Sequence, residues 1–327
     1  MSSRNKNGTL TVKIVLAFSI FFLGFVFGML TIHFVKQNEI NELQDSLDTA
    51  LSEKTEEKVY NVYIPERDMI YGKVPVNPYN VDNFKIMDGF MAYVDDEGNK
   101  ISHLGVDLSY HNSSVDFDEL AASGVEFVML RCGYRGYTEG GLVKDEKFDE
   151  YAREANRVGL KLGVYFFTQA VTMEEARDEA EFVIELIKDY DISYPVAIDT
   201  EHVPDSGART NENEISDELR TQMLIEFCET IREEGYYPMV YASENWMRRN
   251  MDLSKLTEYD FWVPQYLDEN DFLFDFTMWQ YTEKGNAPGI EGEVDLDISM
   301  VDYASFVPAL REAVVNNGKI IQFPELK

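Results

Sequence analysis

Three stretches of the sequence close an apolar run on a carboxylate. Gly105-Val106 runs into Asp107, Pro195-Val196-Ala197-Ile198 into Asp199, and Glu293-Val294 into Asp295-Leu296-Asp297. Asp199 is followed by Thr200 and Glu201. If that strand continues, Asp199 and Glu201 point to one face, with Cα atoms roughly 6.6 Å apart. Paired carboxylates in unlike surroundings divide acid and base work at one pH, because a desolvated one keeps its proton while its neighbour stays ionised. The Asp-x-Glu spacing alone is weak in so acidic a chain, and Asp95-Asp96-Glu97 repeats it in a turn-like stretch. Position separates the two cases. An acid that ends a run as apolar as Pro-Val-Ala-Ile is either costly or useful, since burying an unpaired charge is unfavourable. Glu201, Asp199, Asp107 and Asp295 are therefore the candidate catalytic residues. Tyr134, Tyr137, Tyr165, Phe167, Tyr241, Trp262, Tyr266, Trp279 and Tyr281 lie at or near strand ends. Amphipathic rings there suit sugar faces, although part of such a set is ordinary core.

The elements that must position these residues alternate. Strand-like runs cover 104–108, 125–131, 162–167, 195–199 and 238–242. Helical periodicity covers 145–158, 173–190 and 216–234, with a short helix at 116–122. Gly159 and Gly235 sit just past two of the helices, as C-terminal caps. Alternation of this kind implies a parallel sheet, and its length favours a barrel over an open sheet. The last strands, 261–266, 276–281 and 293–298, leave little room for helices. The expected fold is an α/β, irregular and incomplete TIM-like barrel of about eight strands and fewer helices. In such barrels chemistry sits at the C-terminal strand ends.

At these residues the chain resembles glycoside hydrolase family 25, the lysozymes also called N-acetylmuramidases. The matching segments are Gly105-Val-Asp-Leu-Ser109, Arg131-Cys-Gly-Tyr-Arg-Gly-Tyr137, Gly163-Val-Tyr-Phe-Phe167, Val196-Ala-Ile-Asp-Thr-Glu201, Tyr241-Ala-Ser243, Trp262-Val-Pro-Gln-Tyr266, Trp279-Gln-Tyr281 and Gly292-Glu-Val-Asp-Leu-Asp297. They run in the family's order over about 103–315. The resemblance implies an irregular eight-stranded barrel that hydrolyses the β-1,4 bond between N-acetylmuramic acid and N-acetylglucosamine in peptidoglycan. Glu201 matches the general acid, and Asp107, Asp199 and Asp295 match the other acids of the site. Gln265 and Gln280, inside two of these segments, join Tyr134, Tyr165, Phe167, Tyr241, Trp262 and Trp279 as candidate sugar contacts. One departure stands after Asp107: many members carry Gln-Gly where this chain has His111-Asn112-Ser113-Ser114. No metal or cofactor is required by this reading. The attacking group stays open between Asp199, a carboxylate-activated water and the substrate's own N-acetyl oxygen. Two other classes compete: an inactive wall-binding or scaffolding protein on the same fold, and a metal-dependent hydrolase holding a hard cation in the acid cluster.

The remainder of the chain is organised around an uncharged run. Ile14 to Val35 contains one ionisable residue, His33. At a ~1.5 Å rise it spans a ~30 Å hydrocarbon core. It is longer than a ~7–15-residue signal core and lacks a small-x-small cleavage site, so it reads as an uncleaved signal anchor. Arg4, Lys6 and Lys13 precede it, which places the tail in the cytoplasm and the remainder outside the cell membrane. The expected division is a tail (1–13), a membrane span (14–35), a helical stalk (36–58), a linker with a β-hairpin lead-in (59–102), the barrel (103–315) and a C-terminal tail (316–327). Ile40, Leu43, Leu47 and Leu51 at helical spacing allow weak self-association through 37–58. The 327 residues carry 29 Lys+Arg against 60 Asp+Glu, a net charge of -31, which excludes nucleic acid as a partner because phosphate binding needs a basic footprint. Two cysteines, Cys132 and Cys228, exclude a disulfide framework, and four histidines make a multi-histidine metal site hard to build. Whether the cysteines pair is open at this level. A charge of -31 is also an awkward fit to an anionic cell wall.

Overall fold

The computed structural model describes residues 59–317, apart from 65–68, 113, 206, 212–214 and 268–269. The expected cytoplasmic tail, membrane span, stalk and the C-terminal residues 318–327 lie outside the described residues. Among the described residues, no helix is long and apolar enough to cross a membrane.

Eight strands close a barrel: β5 (His103–Leu108), β6 (Phe127–Arg135), β8 (Lys161–Phe167), β9 (Val196–Asp199), β10 (Pro238–Tyr241), β11 (Asp260–Pro264), β12 (Met278–Gly285) and β13 (Val294–Ser299). Each bonds to the next around the ring, and β5 pairs with both β6 and β13, which closes it. β7 (Leu142–Lys144) adds an antiparallel edge to β6. The chain thus forms a closed barrel with one departure from the parallel sheet expected of alternating elements: β13 runs antiparallel to β12 and to β5. The reason is the connection. Residues 286–293 are too few for the dozen or so that a parallel crossover needs.

Helices cover the wall where connections are long: α1 (Phe117–Ala122), α2 (Phe148–Val158), α3 (Met173–Ile187), α4 (Asp217–Glu233), α5 (Glu244–Asn250) and α6 (Val307–Asn317). Their starts are set by side chains that satisfy a free backbone N–H. Asp116 caps α1, Thr172 caps α3, Ser216 caps α4 and Ser243 caps α5, each accepting from the N–H three residues on. Gly159 ends α2 at a φ of 81°, the left-handed geometry expected of it.

Strand alternation sorts the core into two layers. Leu104, Val106, Val128, Leu130, Val164, Val196, Ile198, Val240 and Ile298 face outward and pack under the helices in one continuous apolar cluster. The alternate positions fill the barrel. At its floor Asp260 accepts from the hydroxyls of Tyr237 (2.9 Å) and Tyr303 (2.6 Å), and Tyr303 also bonds Thr277 at 2.6 Å. Phe127 stacks on Tyr194 with ring centroids 4.6 Å apart. Gly105 exists here because of that ring: a Cβ would lie 2.2 Å from the Phe127 Cζ.

Residues 59–88, expected as extended linker, carry strands instead. β1 (Val59–Ile64) pairs antiparallel with β2 (Met69–Pro75), and β3 (Phe84–Met87) pairs with β4 (Phe90–Tyr93). The hairpin lead-in expected within 59–102 is formed by β3 and β4, while Val94 bridges Lys100 across the 95–99 turn. Asp88 and Gly89, both at positive φ, make the β3–β4 turn. Cys132 and Cys228 are unpaired and fully buried.

Candidate active site

The carboxylates that end apolar runs come together at one mouth of the barrel. A cavity of about 350 Å³ there is lined by Asp107, Tyr165, Asp199, Glu201, Tyr241, Trp262, Tyr266, Gln280, Glu283 and Asp295. Asp107 ends β5 and Asp199 ends β9. Asp295 lies at the start of β13 and, because β13 is antiparallel, sits directly opposite Asp107 in the ladder. The odd strand thus contributes its beginning where the others contribute their ends.

Asp107 is 5% exposed, and its Oδ2 accepts from Gln280 Nε2 at 2.6 Å. Gln280 is oriented in turn by Tyr241 and Tyr266, whose hydroxyls donate to its Oε1 at 3.0 and 2.6 Å. Asp297, one inward step below Asp295, is fully buried and accepts from Trp262 Nε1 at 2.8 Å; its Oδ2 has no partner. Trp262 is held by edge contacts with Tyr241 (4.6 Å) and Tyr165 (5.7 Å). Across the mouth, Asp199 is buried with its Oδ1 unpartnered. Glu201 stands on the exposed rim within hydrogen-bonding reach of it. Thr200 between them is fixed by Trp246, whose Nε1 donates to its Oγ1 at 3.0 Å.

All of these carboxyls have pKa values raised above the usual carboxylate range, Asp107 and Asp199 the most. Burial raises Asp107 most, and the charges of Asp297 and Asp295 add to it, against the Gln280 hydrogen bond. Burial and then Glu201 raise Asp199, while the Arg131 guanidinium opposes them. Glu201 is raised by crowding against the barrel wall, although part of its surface meets solvent. Asp295 is pushed up to about 6 by burial and by Glu283. So many acids in one desolvated space cannot all ionise, and the site keeps protons at near-neutral pH. That is the supply a general acid draws on, beside carboxylates able to stabilise a cation. Among the described residues, no group of three or more His, Cys, Asp and Glu side chains is arranged to hold a metal ion.

Of the twelve residues singled out from sequence, Asp107, Tyr165, Asp199, Glu201, Tyr241, Trp262, Gln280 and Asp295 line the cavity, and four do not. Trp279 faces outward, fully buried against Phe84 and donating to the Gln265 carbonyl at 2.8 Å. It cannot face inward, because its neighbour Gln280 does. Gln265 turns to Asp271, bonding it at 2.6 Å. Tyr134 packs near the Arg131 guanidinium, and Phe167 is half-buried at the end of β8, both outside the cavity lining. Tyr266, one of the strand-end aromatics, also lines the cavity, and Asp297 and Glu283 complete the site without having been candidates. Asp297 had a signal, since it shares a face with Asp295. Glu283 had none, because a bulge in β12 sets its direction.

The family model for glycosyl hydrolases family 25 matches residues 106–290, from within β5 to past the end of β12 and including Asp107, Asp199 and Glu201. The chain belongs to that family. Its N-terminal hundred residues and the β13 acids fall outside the matched span. An autolytic lysozyme of Clostridium acetobutylicum is 26% identical over 194 residues, 59% of this chain and 54% of that protein. The chain therefore spans about half the length of the curated relative it matches. Among solved structures, the modular autolysin LytC from Streptococcus pneumoniae, in complex with a synthetic peptidoglycan ligand, aligns with a TM-score of 0.55 at 23% identity, covering 71% of this chain and 54% of that one. The bacterial lysozyme from Streptomyces coelicolor aligns with a TM-score of 0.51 at 18% identity, covering 64% and 97%. At these identities the likeness is one of fold.

Proposed function

We propose that this family 25 chain is a peptidoglycan hydrolase that cleaves the β-1,4 bond between N-acetylmuramic acid and N-acetylglucosamine. The observation that carries the reading is the single mouth in which Asp107, Asp199, Glu201 and Asp295 converge with raised pKa values. The autolytic lysozyme relative and the ligand-bound autolysin structure support the substrate class.

Glu201 is the general acid. It stands at the rim, where the leaving sugar's oxygen can reach it, and it holds its proton more tightly than an ordinary glutamate. As the bond breaks, positive charge develops on the ring carbon and oxygen, and the ionised member of the carboxylate set stabilises it. Asp199, buried behind Glu201, faces that charge, either attacking it or orienting the substrate's N-acetyl oxygen. The partly exposed Tyr165 and Tyr241 line the cavity over the buried Trp262, offering polar handles to the sugar. The uncharged run 14–35 is proposed to tether this activity to the outer face of the cell membrane, where the wall is within reach.

Glu201→Gln keeps the shape of the site and removes the acid. The expected result is a ~10²–10⁴-fold loss of reducing-end release from purified peptidoglycan. Mass spectrometry of wild-type digests should find fragments ending in reducing N-acetylmuramic acid. Undiminished release by the variant, or fragments ending in N-acetylglucosamine, would overturn the assignment.

A further inference from the structure

A second, larger cavity of about 690 Å³ lies beside the mouth. Its walls include His202 and Asn211 from the loop after β9, Arg220 from α4, and Asn245, Trp246 and Arg249 from α5. The two cavities share the short segment 200–202: Glu201 lines the first, His202 the second, and Trp246 of the second bonds Thr200. The volume is within the ~300–1,000 Å³ of ordinary ligand pockets.

Its described lining differs from that of the mouth in carrying guanidinium groups. Two guanidinium groups, an imidazole and several amides face it, with Asp217 the carboxylate among its described lining residues. Arg220 is 5% exposed, lies 4.8 Å over the Trp246 ring and donates from Nη2 to the Thr210 carbonyl at 2.9 Å. Its Nε has no hydrogen-bond partner. Burial pushes its pKa down to about 10 against the pull of Asp217. A buried cation with an unused donor is costly until an anion meets it. Arg249 is exposed and makes no ion pair among the described residues.

We infer that this cavity is a subsite for the carboxylate-bearing peptide stem of peptidoglycan, with Arg249 and Arg220 taking its carboxylates and Asn245 its amides. The inference rests on the muramidase reading. The stem is attached through the lactyl group of the muramic acid whose bond is cut, so it leaves the glycan beside the mouth. Its anionic groups then meet the arginines rather than the acids. The enzyme is selective for peptide-bearing over bare glycan.

The test separates the subsite from the catalysis. N-acetylmuramoyl-L-alanyl-D-glutamic acid contains no β-1,4 bond, so its binding does not depend on turnover. Calorimetry with the full chain should find at least 10-fold tighter binding of this free acid than of its diamide, and Arg249→Gln should remove the difference while Arg249→Lys keeps part of it. In parallel, the rate on peptide-bearing glycan relative to amidase-stripped glycan should fall at least 5-fold in Arg249→Gln. Equal affinities, no binding of the free acid at millimolar concentration, or an unchanged rate ratio would overturn the subsite. If the acid preference holds but neither glycan is cut, the hydrolase reading fails and the subsite stands. If both glycans are cut without any preference for the acid, the reverse holds.

Discussion

Asp295 ionises near pH 6, because burial and the charge of Glu283 oppose the loss of its proton. If its anion stabilises the cationic transition state, activity must climb as pH passes that value. Asp295→Asn should lower the rate and remove this acid limb, which a pH–rate profile from 4.5 to 8 would detect. Asp107 makes a different statement. Its pKa is raised above the ordinary value of 3.8, so between the two values the native state binds more protons than the unfolded chain. Stability therefore falls as pH rises through that window. An asparagine in its place would have no proton to lose and could still accept from Gln280. Asp107→Asn should raise Tm by about 2–6 °C at pH 7 and by little at pH 4, while activity drops. Equal Tm gains at both pH values would count against desolvated charge as the cause.

At the scale of elements, the barrel interior is where two strands meet through one missing side chain. Gly105 gives its space to the Phe127 ring. Gly105→Ala should cost about 1–3 kcal/mol in denaturant unfolding, and Phe127→Leu in the same chain should recover part of it. The strands themselves were largely legible: each run ending in Asp107, Asp199 or Asp295 is a strand whose acid reaches the mouth. Legibility ended where direction mattered. Asp295 was found as the end of an apolar run, yet it sits near the start of β13, and only the antiparallel pairing brings it to Asp107. The short 286–293 connection held that information. The period of two held the rest, since it forbids Trp279 and Gln280 from facing one way. Glu283 depends on bulge geometry that no local pattern encodes. The 59–88 strands went unread because three prolines masked their pairing.

At the scale of the molecule, the proposed function brings a chain of charge -31 to an anionic wall. Long-range repulsion slows encounter, and salt screens it, with a Debye length of ~30 Å at 0.01 M falling to ~8 Å at 0.15 M. Initial rates on intact walls should therefore rise about two-fold or more between these salt concentrations, while rates on a short uncharged glycan stay level. A fall in rate on walls would mean that local attraction in the arginine cavity outweighs the overall field.

The seam between β5 and β13 has a consequence in time. It joins residues near 105 to residues near 297, so the ring stays open until nearly all of the barrel has left the ribosome. Contacts so distant in sequence are made late. Until then Asp107 has neither Asp295 opposite it nor Asp297 beneath it, and the floor lacks Tyr303. A half-made chain therefore carries only part of the acid cluster, and a product truncated before residue 294 has two raw strand edges and no complete mouth. The order of synthesis itself keeps the carboxylate site incomplete until the whole barrel exists.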